Sequence, residues 1–85
     1  MRYLVMYDIS DDRKRARVER LLAEWGMRVN YSVFEIESSK AGYRKVIKRL
    51  LDLTDRHDDV RIYHLTPGSL TYRLHHQSHE KELYF

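Results

Sequence analysis

Residues 3–9, "YLVMYDI", carry apolar side chains at both parities: Tyr3, Val5, Tyr7 and Ile9 on one face, Leu4 and Met6 on the other. A strand patterned this way is covered on both faces. Its one charged residue, Asp8, shares the parity of Leu4 and Met6. Further along, the period changes. Val18, Leu21, Leu22 and Trp25 recur at i, i+3, i+4 and i+7, the stripe of an amphipathic helix. Asp11 or Asp12 is placed to cap that helix, and Gly26 stands at its C′ position. Residues 27–37, "MRVNYSVFEIE", are rich in strand formers and read as one long strand or as two broken near Ser32. Ser38 or Ser39 caps a second helix with the stripe Tyr43, Val46, Ile47, Leu50 and Leu51. "DRHDD", 55–59, is a polar loop. A strand over 60–65 is apolar on both faces through Val60, Ile62, Tyr63 and Leu65. "TPGS", 66–69, is a turn, Leu70, Tyr72 and Leu74 alternate as a short last strand, and 75–85 is a tail.

The order β-α-β(β)-α-β-β predicts an α+β domain over 1–85: a ferredoxin-like βαββαβ sheet with an additional C-terminal strand, both helices on one face. The other face is then apolar and bare. A second copy of the chain packed against it, giving a symmetric homodimer, resolves that conflict.

Composition narrows the class. A chain of 85 residues holds one core and buries only roughly 60–65% of its unfolded surface, which also favours oligomerisation. With no cysteine, disulfides and thiolate metal sites are excluded, which suits a reducing cytoplasm. The first strand follows Met1 directly, leaving no room for a signal peptide, and no apolar run reaches the ~20 residues of a membrane span.

The formal net charge of +3 is ordinary; its distribution is not. Arg13, Lys14, Arg15, Arg17 and Arg20 are accompanied by one acid, Glu19, and Lys40, Arg44, Lys45, Lys48 and Arg49 by none. Arg13, Arg17 and Arg20 form one stripe of the first helix, and Arg44 and Lys48 stack on the second. Together with Lys14 these are candidate phosphate contacts for a nucleic-acid backbone, set against a merely solubilising surface. Such contacts position a duplex without reading its sequence.

Asp8 sits where the chain otherwise hides everything from water. In a dimer joined through the open face, a two-fold axis near the strand end would bring two copies of Asp8 together. Paired carboxylates repel unless one is protonated or a cation lies between them. A hard divalent ion, Mg²⁺ or Mn²⁺, suits oxygen ligands and suits phosphodiester hydrolysis. On spacing alone the structural reading leads: Asp8 would pair with Arg13 or a backbone N–H. Asp11 and Asp12 are structural first, as cap and first-turn acid. His76 and His79 have i, i+3 spacing beside His75 but lack further ligands, so zinc is not expected there. His64 reads as a packed or hydrogen-bonded residue, and Tyr7, Tyr31, Tyr63 and Tyr72 as strand aromatics that pack in the core or an interface. No Ser-His-Asp order and no phosphate-cradling glycine loop is present.

"MYDISDDRKRARV", then "GMRVNYSVFEIE", then "DDVRIYHL" resemble, in order and spacing up to Leu74, the small CRISPR-associated adaptation proteins of the Cas-two family. The resemblance implies a homodimer whose fifth strand, about 70–74, pairs with the partner's sheet. It implies a part in acquiring spacers, between integrase dimers of the Cas-one family, with a prespacer DNA duplex on the basic surface. It also implies metal-dependent endonuclease activity on single-stranded RNA or duplex DNA, with Asp8 as the catalytic, metal-binding aspartate. Arg13 and Arg17 fall in the family's basic helix start, Ser32 and Phe34 in its Ser-Val-Phe core, and Asn30 where glutamine is common. The alternatives are a non-catalytic DNA-binding scaffold, a toxin-like ribonuclease and a small-ligand regulatory domain.

Overall fold

The structure, a computed structural model, describes residues 1–66. Strand β1 (Arg2–Asp8) sends Tyr3, Val5 and Tyr7 inward, and Leu4, Met6 and Asp8 to the opposite face. Helix α1 (Asp12–Trp25) begins at Asp11, whose Oδ2 accepts from the Lys14 N–H at 2.8 Å, and it buries Val18, Leu21 and Leu22. The ambiguous stretch resolves into two strands, β2 (Gly26–Asn30) and β3 (Val33–Glu37). The break contains neither glycine nor proline, and Asn30 Oδ1 accepts from the Tyr31 N–H at 2.8 Å where the chain turns. Helix α2 (Lys40–Leu53) is capped by Ser39, whose hydroxyl accepts from the Gly42 N–H, and β4 spans Asp59–Leu65.

Two expectations need correction. Gly26 does cap α1, but in extended backbone (φ −159°) rather than the left-handed form, because the chain enters β2 without a turn. Leu51 is 70% exposed rather than part of the α2 stripe. It lies about 100° round the helix from Leu50, and the inward positions go to Gly42, Val46, Leu50 and Leu53.

The sheet order is β2-β3-β1-β4, every neighbouring pair antiparallel. With two helices crossing between its strands this is the ferredoxin-like α+β fold. The helices cover one face, where Tyr3, Val5, Tyr7, Phe34 and Ile36 of the sheet meet Val18, Leu21, Leu22, Val46 and Leu50. On the other face Met6 is 39% and Tyr63 45% exposed, and Met27 more so. No described helix is long and apolar enough to cross a membrane. The turn expected after Thr66, the strand over 70–74 and His75, His76 and His79 lie outside the described residues.

Candidate functional site

Asp8 ends β1, one of the two interior strands, where two neighbours converge on it. The Tyr7 N–H donates to the Ser32 carbonyl at 3.1 Å, tying the β2–β3 turn to the end of β1. On the other side Asp8 stands in direct register with Asp59, the first residue of β4. Asp8 is exposed, and its carboxylate has no hydrogen-bond or ion-pair partner among the described residues. The expected pairing with Arg13 is therefore not made. Asp59 is occupied, with Arg61 Nη2 at 3.3 Å and Nε at 3.4 Å.

Asp8 lies on the rim of two hollows. A shallow one on the open sheet face is lined by Met6, Tyr7, Asp8, Asp59 and Arg61. A deeper cleft between α1 and the hairpin turn, about 370 Å³, is lined by Asp8, Arg15, Glu19, Arg28, Tyr31 and Ser32 among others. Its cations are held firmly. Arg15 donates to the Ile9 carbonyl at 3.0 Å and pairs with Asp12 at 2.5 Å. Arg28 pairs with Glu19 at 3.1 Å, donates to the Tyr31 carbonyl at 3.0 Å and stacks 5.2 Å above the Phe34 ring. Tyr7 Oη donates to Glu19 Oε2 at 2.5 Å. Burial first, and then this bond to a carboxylate, push the Tyr7 phenol well above its ordinary range, so it stays a donor. Each guanidinium has five N–H donors, so both Arg15 and Arg28 keep some for a ligand.

The chemistry of the donor set fits a hard divalent ion that retains most of its water. Mg²⁺ takes one or two carboxylates and keeps several waters. Asp8 offers such a carboxylate, and no group of three His, Cys, Asp or Glu that could hold an ion exists among the described residues.

The basic stripes lie elsewhere. Arg13, Arg17 and Arg20 on α1, and Arg44 and Lys48 on α2, are exposed on the helical layer without an ion pair among the described residues. Lys48 also lines a groove between the helices with Leu21, Trp25, Lys45 and Arg49. Lys14 does not join them: its ammonium is bonded to Asp55 and Asp58, each at 2.9 Å. The cations lining the two hollows with Asp8 are thus Arg15, Arg28 and Arg61, which the stripe pattern did not single out. His64 is exposed and hydrogen-bonded, its Nε2 3.1 Å from Tyr43 Oη.

The family profile described as CRISPR associated protein Cas2 matches residues 1–72. The chain is 41% identical over 70 residues, 81% of its own length and 76% of the relative's, to a CRISPR-associated endoribonuclease Cas2 of Synechocystis. A crystal structure of Streptococcus pyogenes Cas2 superposes with a TM-score of 0.72 at 30% identity, over 78% of this chain and 87% of that one. A chain from a partial Cas6-RT-Cas1–Cas2 complex superposes at 0.70 with 28% identity, over 80% of this chain and 76% of that one.

Proposed function

The chain belongs to the CRISPR-associated Cas2 family, and we propose that it is a homodimeric nucleic-acid-binding component of CRISPR adaptation with divalent-metal-dependent endonuclease activity centred on Asp8. Its substrates are single-stranded RNA or duplex DNA, its partner the adaptation integrase of the Cas1 family, and its ion Mg²⁺ or Mn²⁺. The observation that carries the reading is the exposed Asp8 carboxylate, without a partner among the described residues, on the rim of a cleft with two fixed guanidiniums. The Cas1–Cas2 assembly among the structural neighbours supports the integrase partner, and the relative's endoribonuclease name supports the chemistry.

Asp8 would hold the ion, which when bound supplies Lewis-acid polarisation of a phosphoryl oxygen. Arg15 and Arg28, locked by Asp12, Glu19 and backbone carbonyls, orient the phosphate and offset its charge without reorganising. Tyr7 keeps Glu19 turned toward Arg28. The bare sheet face is the dimer surface, and the unpaired stripes on the helices track phosphates.

Cleavage of end-labelled single-stranded RNA and duplex DNA by wild type and Asp8→Asn, with Mg²⁺, with Mn²⁺ and with a chelator, tests this reading. Metal-dependent cutting lost in Asp8→Asn supports it, and cutting that survives in Asp8→Asn sinks it. One observation favours the scaffold alternative: the basic stripes stand apart from the Asp8 cleft, so a duplex can be held without it. That reading is chosen if neither protein cuts yet both bind duplex equally.

A further inference from the structure

Whereas Arg15 pairs locally with Asp12, Lys14 is, among the described residues, the one cation of the first helix's basic run that pairs with carboxylates from a distant loop. Its side chain is only 23% exposed, and the two carboxylates it holds come from the loop between α2 and β4, more than forty residues away in sequence. Asp58 is 5% exposed at its side chain, and it also accepts from the Asp55 N–H at 2.9 Å. Asp55 in turn accepts from the His57 N–H at 2.8 Å. Both oxygens of Asp55 and Oδ2 of Asp58 are engaged, and a buried carboxylate left without its cation would be costly.

The knot closes a ring of contacts that passes through Asp8. From Asp8 the chain runs to Asp11, which caps α1 by accepting from the Lys14 backbone N–H. The Lys14 ammonium then crosses to Asp58, the next residue is Asp59, and Asp59 returns to Asp8 through the ladder. Asp8 and Asp59 form the last pair of that ladder, at the start of an edge strand, where pairing opens most readily.

From this ring we infer that Lys14 is a positioning residue for Asp8, and not a phosphate ligand. By clamping the α2–β4 loop to the first turn of α1, it fixes Asp59 and its partner Arg61 beside the Asp8 carboxylate. The inference rests on the reading of Asp8 as the ion-holding carboxylate.

The test compares full-length wild type with Lys14→Met, Lys14→Arg, Arg13→Ala and Asp8→Ala. Mn²⁺ binding is followed by loss of the free-ion paramagnetic resonance signal, hydrolysis by kcat and KM, and duplex affinity across a salt series. Removing a group that orients a metal ligand costs about 10- to 100-fold in metal affinity. Lys14→Met is expected to weaken Mn²⁺ binding and lower kcat by about tenfold, with KM, duplex affinity and salt slope unchanged, and Lys14→Arg to restore most of it. Arg13→Ala should do the reverse. Wild-type Mn²⁺ affinity in Lys14→Met overturns the inference, as does a reduced salt slope, which would make Lys14 a phosphate contact. Should Lys14→Met not fold, Asp55→Asn removes the exposed arm of the clamp alone. A weaker Mn²⁺ affinity in Asp55→Asn then supports the inference, and an unchanged one overturns it. If Asp8→Ala binds Mn²⁺ as wild type does, the reading of Asp8 has failed first.

Discussion

Gly26 and Ile36 face each other across the β2–β3 ladder so closely that a Cβ on Gly26 would lie 2.7 Å from Ile36 Cγ1 and 2.1 Å from the Glu35 carbonyl oxygen. The second contact is with backbone and cannot be relieved by a rotamer change. Gly26→Ala must therefore push β2 away from β3, a cost of roughly 3 kcal/mol or more. Gly42 is the control. There the nearest atoms are Trp25 Cζ3 at 2.8 Å and Ser38 Cβ at 3.1 Å, side-chain rather than backbone atoms, and the ~1 kcal/mol of helix propensity that alanine regains offsets part of the shift they require. Urea denaturation should rank Gly26→Ala well below Gly42→Ala, and equal midpoints would contradict the close-approach account.

Much of this fold is legible in the apolar periods. The i, i+3, i+4 stripe at Val18, Leu21 and Leu22 marks α1, the mixed parities of β1 mark a strand with two apolar faces, and chemistry narrows each cap to a pair of neighbours, of which the fold uses Asp11 and Ser39. What periodicity cannot carry is the meeting of distant segments. Nothing in the order of residues says that Asp59 stands opposite Asp8, or that Lys14 turns to Asp58 while Arg13 beside it pairs with none of the described residues. Arg28 reads as a strand residue of no special kind until the fold lays it over Phe34 and against Glu19. Leu51 shows the converse error: an apolar residue next to a helical stripe is not thereby in it.

The unpaired stripe on α1 makes a quantitative prediction about salt. Each phosphate neutralised on B-DNA contributes about 0.9 to the slope of log affinity against log salt. Replacing Arg13, Arg17 and Arg20 together by alanine should reduce that slope by about two to three, whatever the duplex sequence. Fluorescence anisotropy across a salt series reads it directly. An unchanged slope would remove α1 from the binding surface.

The sheet face opposite the helices, which no other described element covers, predicts self-association. Met6 on β1 and Tyr63 on the neighbouring strand β4 stand on it, partly exposed. Burying an unpaired polar group in such an interface costs about 3 kcal/mol, roughly a hundredfold in dissociation constant. Met6→Glu should therefore yield a folded monomer by circular dichroism and sedimentation velocity at concentrations where wild type is dimeric. A wild-type protein that sediments as a monomer throughout would refute the dimer face itself.

The Lys14 clamp predicts a pH window for stability. The Lys14 bond first, and backbone N–H groups second, hold the Asp55 and Asp58 carboxyls below their ordinary value. Their bonds raise the Lys14 ammonium above its own, Asp58 contributing most. When pH falls below the ordinary carboxylate value of about 3.9, the unfolded chain takes up protons before the folded one, and the clamp's contribution is lost. At the other end it persists up to the ordinary lysine value of about 10.4 and fades as pH rises beyond it. In Lys14→Met the two aspartates lose the cation that set their folded values apart. The stability gap between wild type and Lys14→Met should be full from about pH 5 to pH 9 and close toward pH 2.5. Urea denaturation at pH 7, 5, 4, 3 and 2.5 checks this, and a gap that stays constant down to pH 2.5 would show that the loss in Lys14→Met comes from packing rather than from the ion pairs.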